Sequence, residues 1–359
     1  MRARIALNAL ALRPGGSGVQ TYIRELLREL VPRLDAELVA AVQADAAGEL
    51  PPGVEALVRR PCAGVGRTLT GLRSLGPSDL VHGLDVDLPL RNHAPTVATV
   101  HDLAVFDVPW AFPWWRARGE QATIAQALRR ADRIIAVSGF TAERVKARFG
   151  REAVVVPLAA GPDMRPPSAA EVERVRSAYG LDRSFVLHVG TVEPRKDVAT
   201  LAASCRLAGV PLVLAGATPD PALVPAGTRA LGYVPRGDLG ALYGAATVVA
   251  YPSRYEGFGL PPLEAMACGA PVVASRVASL PEVLGGGAEL FRPGAVEELA
   301  SVLHELLSDE ARRAALSGAG QRVAGRLTWR ATAAATAGVY RSLGVDTGDR
   351  LCPEIPAGT

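Results

Sequence analysis

At 359 residues, 49% of them hydrophobic and 21% charged, the chain is an ordered globular protein longer than one hydrophobic core usually supports, so two domains are predicted. A formal net charge of +3 is too small to imply a nucleic-acid partner. Cys62, Cys205, Cys268 and Cys352 are scattered without pairing or metal-ligand spacing, so reduced thiols in a cytoplasm are expected.

The opening MRARIALNALALR has an apolar part too short for a signal peptide, broken at Asn8, and predicts a first strand. Short apolar runs then alternate with amphipathic segments, the pattern of parallel sheets covered by helices on both faces. Strands are expected near 3–9, 37–42, 79–82, 95–100, 133–137 and 153–156, and helices near 19–31, 114–130 and 139–148. PLAAGPDMRPPSAA, residues 157–170, is proline-rich and aperiodic and predicts a linker. A second series has strands near 185–189, 210–215, 247–250 and 271–274, with helices near 196–208, 238–244, 261–268 and 295–307. Residues 310–343 read as helix broken around Gly325 to Thr328, and the tail after Gly344 as short, polar and loose. No stretch approaches the roughly 20 apolar residues of a membrane-spanning helix. Residues 1–165 carry 21 basic and 17 acidic side chains, or +4; residues 166–359 carry 18 and 19, or −1. A solvated arginine-rich surface accounts for that asymmetry, and so does weak peripheral contact with an anionic lipid surface or an acidic acceptor.

The densest chemistry lies in RYEGFGLPPLEAMACGAPVVASR, residues 254–276. Gly257 and Gly259 let a backbone come close to a ligand, and Pro261 and Pro262 suit a helix's first turn, so a helix begins near Leu260. Its free N–H groups and positive dipole end suit a diphosphate. Glu256 on the loop and Glu264 one turn into the helix flank that pocket. Carboxylates repel phosphate but accept from sugar hydroxyls, so the pair describes a nucleotide sugar. A dipole-complementing surface helix and a glycosidase acid pair are the other readings. Gly15, Gly16 and Gly18 follow the first strand, but Thr21 stands where a dinucleotide fingerprint has its third glycine, which argues against a nicotinamide cofactor. His101 ends the strand PTVATV, at the carboxyl edge where such sheets bind ligands; Asp102 beside it reads as a turn cap. Arg195 and Lys196, the latter one of only two lysines, follow the strand FVLHVG and precede a helix, placed to offset charge on a departing diphosphate. Asp85-x-Asp87 has the form of a divalent-metal motif but lies far in sequence from the donor run and reads as a loop or capping pair, and the histidines show no ligand spacing, so no metal site is expected.

The 254–276 run resembles the donor-site signature of the retaining glycosyltransferases of family 4, which have the GT-B fold. Similar family patterns occur in PGGSGVQTYIRELL (14–27), TVHDLAVF (99–106), RIIAVSGFTAERV (133–145), FVLHVGTVEPRKDVATL (185–201), SLPEVLGGGAELFRPG (279–294) and TWRATAAATAGVYRSL (328–343). The resemblance implies two Rossmann-like domains facing a cleft, an acceptor-binding one at 1–165 and a nucleotide-sugar-binding one at 166–327, with 328–359 crossing back onto the first. It assigns His101 to hydroxyls of the transferred sugar. Gly16 or Gly18 either gives an N–H to the donor diphosphate or shapes the acceptor entrance. Glu264 falls to the nucleotide ribose and Glu256 to sugar hydroxyls, with Gly257, Phe258, Gly259 and Leu260 around the diphosphate. The family's usual arginine after the strand glycine is here Thr191, so Arg195 is inferred to substitute while Lys196 keeps its place. The implied reaction moves a hexose or deoxyhexose, with mannose or rhamnose slightly favoured by the form VGTVEPRK, from a nucleoside-diphosphate sugar to a hydroxyl acceptor in a glycan, lipid-linked sugar or natural product. Configuration is retained by front-face attack, no cofactor or metal takes part, and the enzyme works in the cytoplasm or at the inner face of the membrane. A nucleotide-sugar epimerase and a catalytically silent sugar-nucleotide-binding protein are the alternatives.

Overall fold

Two fully parallel sheets organise the chain in the computed structural model, which describes residues 2–348 apart from 17 and 182. The first sheet contains β1 (Ala3–Asn8), β2 (Ala36–Gln43), β3 (Val54–Arg59), β4 (Leu80–Gly83), β5 (Thr96–Val100), β6 (Arg133–Ala136) and β7 (Val154–Val155), in the order β3-β2-β1-β4-β5-β6-β7. The second contains β8 (Val186–Val189), β9 (Leu212–Ala215), β10 (Arg229–Gly232), β11 (Val248–Tyr251), β12 (Val272–Ser275) and β13 (Ala288–Phe291), in the order β10-β9-β8-β11-β12-β13. Their central strands are buried on both faces, which is why VATV, FVLHV and VVAY read as continuous apolar runs rather than alternating ones.

Each sheet reverses its winding once, between β1 and β4 and between β8 and β11. Connections leaving two adjacent strands in opposite directions open a crevice at the carboxyl ends there, which is where open α/β sheets bind ligands. Register places Leu7 beside His82 and Leu187 beside Val249, so the loops after those strands emerge side by side. Helix Val19–Leu30 covers the first sheet with Ile23, Leu26, Leu27 and Leu30 completely buried. Each such side chain contributes about 1.5–3 kcal/mol, enough to hold the helix although no side chain caps its start at Gly18.

The last helix, Trp329–Arg341, lies against helix Val19–Leu30. Trp329 Nε1 donates to the Ala160 carbonyl at 3.0 Å, Thr332 Oγ1 to Pro157 at 2.7 Å, and Tyr340 Oη meets His82 Nδ1 at 2.7 Å inside the first sheet. The edge strand β3 and the short β10 and β13 give sheets of seven and six strands where six and four were expected. The expected linker ends early: Ser168 caps helix Ala169–Tyr179, because Ser168 and Glu171 form a reciprocal capping box. The tail is not loose at its start. Thr347 is buried and its carbonyl accepts from Asp35 N at 2.8 Å. Residues 349–359, with Cys352 and the end of the expected third segment, lie outside the described residues. No helix among the described residues is long and apolar enough to cross a membrane.

Candidate active site

The loops after β8 and β11 meet because their strands are neighbours. Pro194–Lys196 forms one 3-10 turn after β8, and Asp197, left-handed at φ 47°, caps the next helix by accepting from Thr200 N. That turn aims Lys196 at the loop after β11. Lys196 Nζ lies 2.6 Å from Glu256 Oε1, and Arg195 Nη1 lies 3.2 Å from Oε2. Ser253 Oγ donates to Oε1 at 2.6 Å, while Arg195 also reaches the Tyr255 carbonyl at 3.1 Å and Glu193 at 2.7 Å. Burial disfavours the Glu256 carboxylate, but Lys196 and Arg195 more than offset it and hold its pKa at about 2. Burial draws the Lys196 pKa down, against the pull of Glu256. The pair is therefore a buried ion pair with its charges separated. Below it His188 is wholly buried and kept neutral by that burial, its Nδ1 on the Ala250 carbonyl.

The oxygens of Glu256 face cations and Ser253, where sugar hydroxyls were expected, and Arg195 and Lys196 face that acid, where phosphate was expected. With Glu193 also paired to Arg195, two cations meet two acids, and the start of helix Leu260–Ala267 adds its positive dipole end beside them. Gly259, at φ 95°, caps that helix without a side chain, with prolines in the first turn as the sequence implied. Phe258 and Leu260 are buried, anchoring both sides of the turn, whereas Thr191 is exposed.

Gly257 makes the close approach that its sequence position suggested, and the partner is the first domain's backbone. A Cβ there would fall 2.0 Å from the His101 carbonyl oxygen, so no other residue fits. The Gly257 carbonyl accepts from Ser138 Oγ at 2.7 Å and Thr141 Oγ1 at 3.2 Å, at the start of helix Gly139–Phe149. Glu282, on the short helix Leu280–Leu284 after β12, caps the same helix through the N–H groups of Gly139 and Phe140. His101 itself, at the end of β5, is half-buried, with Nε2 2.9 Å from the Leu84 carbonyl and its ring edge-on to Tyr22. Asp102 caps Ala104 N at 2.9 Å, as its turn chemistry predicted. The first-sheet glycines lie across the same crevice: Gly18, at φ 65°, starts helix Val19–Leu30, Gly16 accepts from Arg24, and Gly15 accepts from Tyr233 Oη at 2.8 Å.

Glu264 sits apart from the Glu256 cluster, on the inner face of helix Leu260–Ala267 and 4% exposed. Burial pushes its carboxyl up to about 7, against the opposing pull of Arg236, whose Nη1 lies 3.3 Å from Oε1. Asp85 and Asp87 are both bound by Arg67, at 3.4 and 2.8 Å, and burial lifts the Asp87 carboxyl to about 7. Among the described residues no three histidine, cysteine, aspartate or glutamate side chains gather as a metal would need.

The description "Glycosyltransferase Family 4" matches residues 16–160, and "Glycosyl transferases group 1" matches residues 171–323. The O-antigen chain mannosyltransferase B of Escherichia coli is 36% identical over 284 residues, 74% of this chain and 74% of that protein. The chain belongs to glycosyltransferase family 4. Among solved structures, sucrose-phosphate synthase from Thermosynechococcus elongatus superposes on the glycosyltransferase with a TM-score of 0.74 at 22% identity, covering 96% of this chain and 99% of the other. Anabaena Alr3699/HepE, in complex with UDP-glucose, gives 0.74 at 20% identity, covering 95% and 100%. The fold is GT-B.

Several groups the glycosyltransferase brings to the crevice were missed from sequence. Ser138 and Thr141 carry a visible signal, a Ser-x-x-Thr helix start directly after β6, but nothing in it points to Gly257, 119 positions away from Ser138. Arg236 carries none, being one arginine among many at the start of an unremarkable helix.

Proposed function

We propose that this glycosyltransferase moves a hexose or deoxyhexose, mannose-type before others, from a nucleoside-diphosphate sugar to a hydroxyl acceptor with retention of configuration. The carrying observation is the buried Lys196–Glu256–Arg195 cluster beside the start of helix Leu260–Ala267, facing the His101 loop. A diphosphate entering there exchanges one carboxylate partner for several phosphate oxygens on the same two cations. Charged hydrogen bonds contribute roughly 1.5–3 kcal/mol each, and they strengthen as negative charge builds on the leaving diphosphate. Glu256, released from the cations, then turns to hydroxyls of the transferred ring, and Glu264 accepts from the ribose. The mannosyl preference is supported by the name of the Escherichia coli relative, and the donor class by the UDP-glucose bound to the Anabaena protein.

Among the described residues no side chain in the crevice is set as an enzymic nucleophile. In the proposed front-face reaction the bond from the anomeric carbon to the phosphate oxygen breaks, the acceptor oxygen bonds to the same face, and the acceptor proton passes to the leaving phosphate oxygen. Lys196, Arg195 and the helix start supply the positive charge, so no metal is needed. Acceptor binding is assigned to the first sheet's side, around His101 and the glycine turn. That domain also exposes Trp110, Trp114 and Trp115 within six residues, beside the exposed Arg116 and Arg118. Aromatic rings with an apolar body and polar edge suit a lipid interface, which supports weak contact with an anionic membrane surface.

Incubating the protein with a panel of nucleoside-diphosphate sugars and hydroxyl acceptors, and following the anomeric proton of product by NMR, tests the reading. Retained configuration with release of nucleoside diphosphate is expected. Conversion of the donor sugar without acceptor would make the protein an epimerase, and no turnover across the panel a binding protein.

A further inference from the structure

Arg236 opens helix Arg236–Ala245 at the end of the turn after β10, and its guanidinium touches three separate parts of the molecule. Nη1 lies 3.3 Å from Glu264 Oε1 on the donor-side helix and 3.5 Å from Thr21 Oγ1 on the first domain's first helix. Nη2 lies 2.7 Å from Asp163 Oδ1 on the segment joining the two sheets. The joining segment lies close against it: a Cβ at Gly161 would fall 2.0 Å from Nη2 and would push the guanidinium off this seat. Thr21 and Glu264 are almost wholly buried, so neither can turn to solvent for another partner.

We propose that Arg236 is a positioning residue for the donor: it holds Glu264 in place and opposes its protonation from a seat on the joining segment, so that the grip on the ribose depends on how the two domains are set. The proposal rests on the reading of Glu264 as the ribose-binding acid. The physical reason is local. A buried carboxylate needs a compensating cation, and without one it takes up a proton and loses the charge that strengthens its hydrogen bonds to hydroxyls. The other titratable groups that reach Glu264 cannot replace Arg236. Asp163 is an acid and pushes the wrong way, and Tyr243, Tyr251 and Cys268 are buried and neutral. Arg236 alone among these is cationic. Because Asp163 and Thr21 share its guanidinium, a movement of the first domain or of the joining segment draws the cation towards or away from Glu264.

The test compares two probes by titration calorimetry between pH 6 and 8: the tightest binder among UDP, GDP, ADP and dTDP, and inorganic pyrophosphate, which lacks the ribose. Glu264→Gln should weaken the nucleotide and leave pyrophosphate unchanged. Arg236→Gln should weaken the nucleotide about tenfold at pH 6.5, the effect of one unit's rise in the Glu264 pKa, and much less at pH 8, again sparing pyrophosphate. Arg236→Lys keeps the charge and should recover most of the loss, and Asp163→Asn should shift the pH profile slightly. If Glu264→Gln weakens the nucleotide while the Arg236→Gln profile overlays that of the wild type, the proposal is wrong and the ribose reading stands. An Arg236→Gln loss equal for both probes also overturns it, since that reports general damage. If Glu264→Gln has no effect, the ribose reading itself fails and the proposal with it.

Discussion

Replacing Lys196 with methionine separates what the buried cluster does for the fold from what it does for catalysis. The ammonium and Glu256 are 2.6 Å apart with side chains 8% and 9% exposed. Removing one partner of a buried pair typically costs about 3–5 kcal/mol, because the remaining charge loses its compensation. Arg195 at 3.2 Å and Ser253 at 2.6 Å stay with the carboxylate, so the lower end, about 3 kcal/mol, is expected. The pH dependence has a definite sign. Glu256 is held at about 2 against a usual 4.5, so its paired state stabilises the fold fully above 4.5 and loses that effect as pH falls through about 2. The stability gap between wild type and Lys196→Met should therefore narrow in acid, as pH falls from 4.5 towards 2. For transfer, losing one charged hydrogen bond to the departing diphosphate, roughly 1.5–3 kcal/mol, lowers kcat/KM about ten- to a hundredfold. The double variant Lys196→Met with Glu256→Gln removes the orphan charge. Urea unfolding should show much of the lost stability restored, while steady-state assays show activity still depressed. A double variant as unstable as the single one would refute the charge argument, and a single variant with full kcat/KM would remove Lys196 from the site.

Glu264 sets the opposite slope: pushed up to about 7, it keeps a proton that the unfolded chain releases above about 4.5, so stability falls as pH rises through that window. Asp87, also lifted to about 7, has the same sign, so Glu264→Gln should flatten part of the slope in denaturant midpoints taken from pH 4.5 to 7, and an unchanged slope would contradict the burial argument. Gly257→Ala drives a Cβ to 2.0 Å from the His101 carbonyl and should cut transfer more than a hundredfold, roughly 3 kcal/mol, while separating the domains enough to raise the radius of gyration in solution scattering. Transfer measured in excess EDTA should match the rate with added magnesium, and a dependence on the metal would show that the two cations are insufficient. Vesicles rich in anionic lipid should sediment the protein at low salt, and Trp110→Ser with Trp114→Ser and Trp115→Ser should abolish that without lowering transfer to a soluble acceptor.

The sheets were legible because parallel strands buried on both faces leave unbroken apolar runs, and the donor loop because glycine and proline at 257, 259, 261 and 262 admit few conformations. Edge elements were lost for the converse reason. β3 has no fully buried residue, β10 is four residues with two of them exposed, and neither differs locally from a loop. At the site, residue types announced charge and hydrogen-bonding capacity but not partners. Lys196 and Glu256 are sixty positions apart and Ser138 and Gly257 nearly twice that, distances closed only by strand order and by how the two sheets face each other. The glycine at 257 illustrates the limit: its need for space was readable, while what filled the space, a backbone carbonyl of the other domain rather than a ligand, was not.

The two acids of the donor loop, eight positions apart, are driven in opposite directions by their surroundings: Glu256 to about 2 beside two cations, Glu264 to about 7 beside one shared guanidinium. Equal burial with unequal compensation is enough to divide the labour between identical side chains. Glu256 is an anion across the neutral range that favours the charged forms of Lys196 and Arg195, and in the proposed reading the diphosphate takes its place on them. Glu264 is only part-ionised near neutral pH, so in the proposed reading it would accept from hydroxyls while adding less repulsion than a full anion to phosphates at the helix start. A second permanent anion there would oppose the very charge that the helix start and the cations attract. In the proposed reading the arrangement suits a ligand with phosphate at its centre and hydroxyls at both ends, through compensation that the folded chain alone provides.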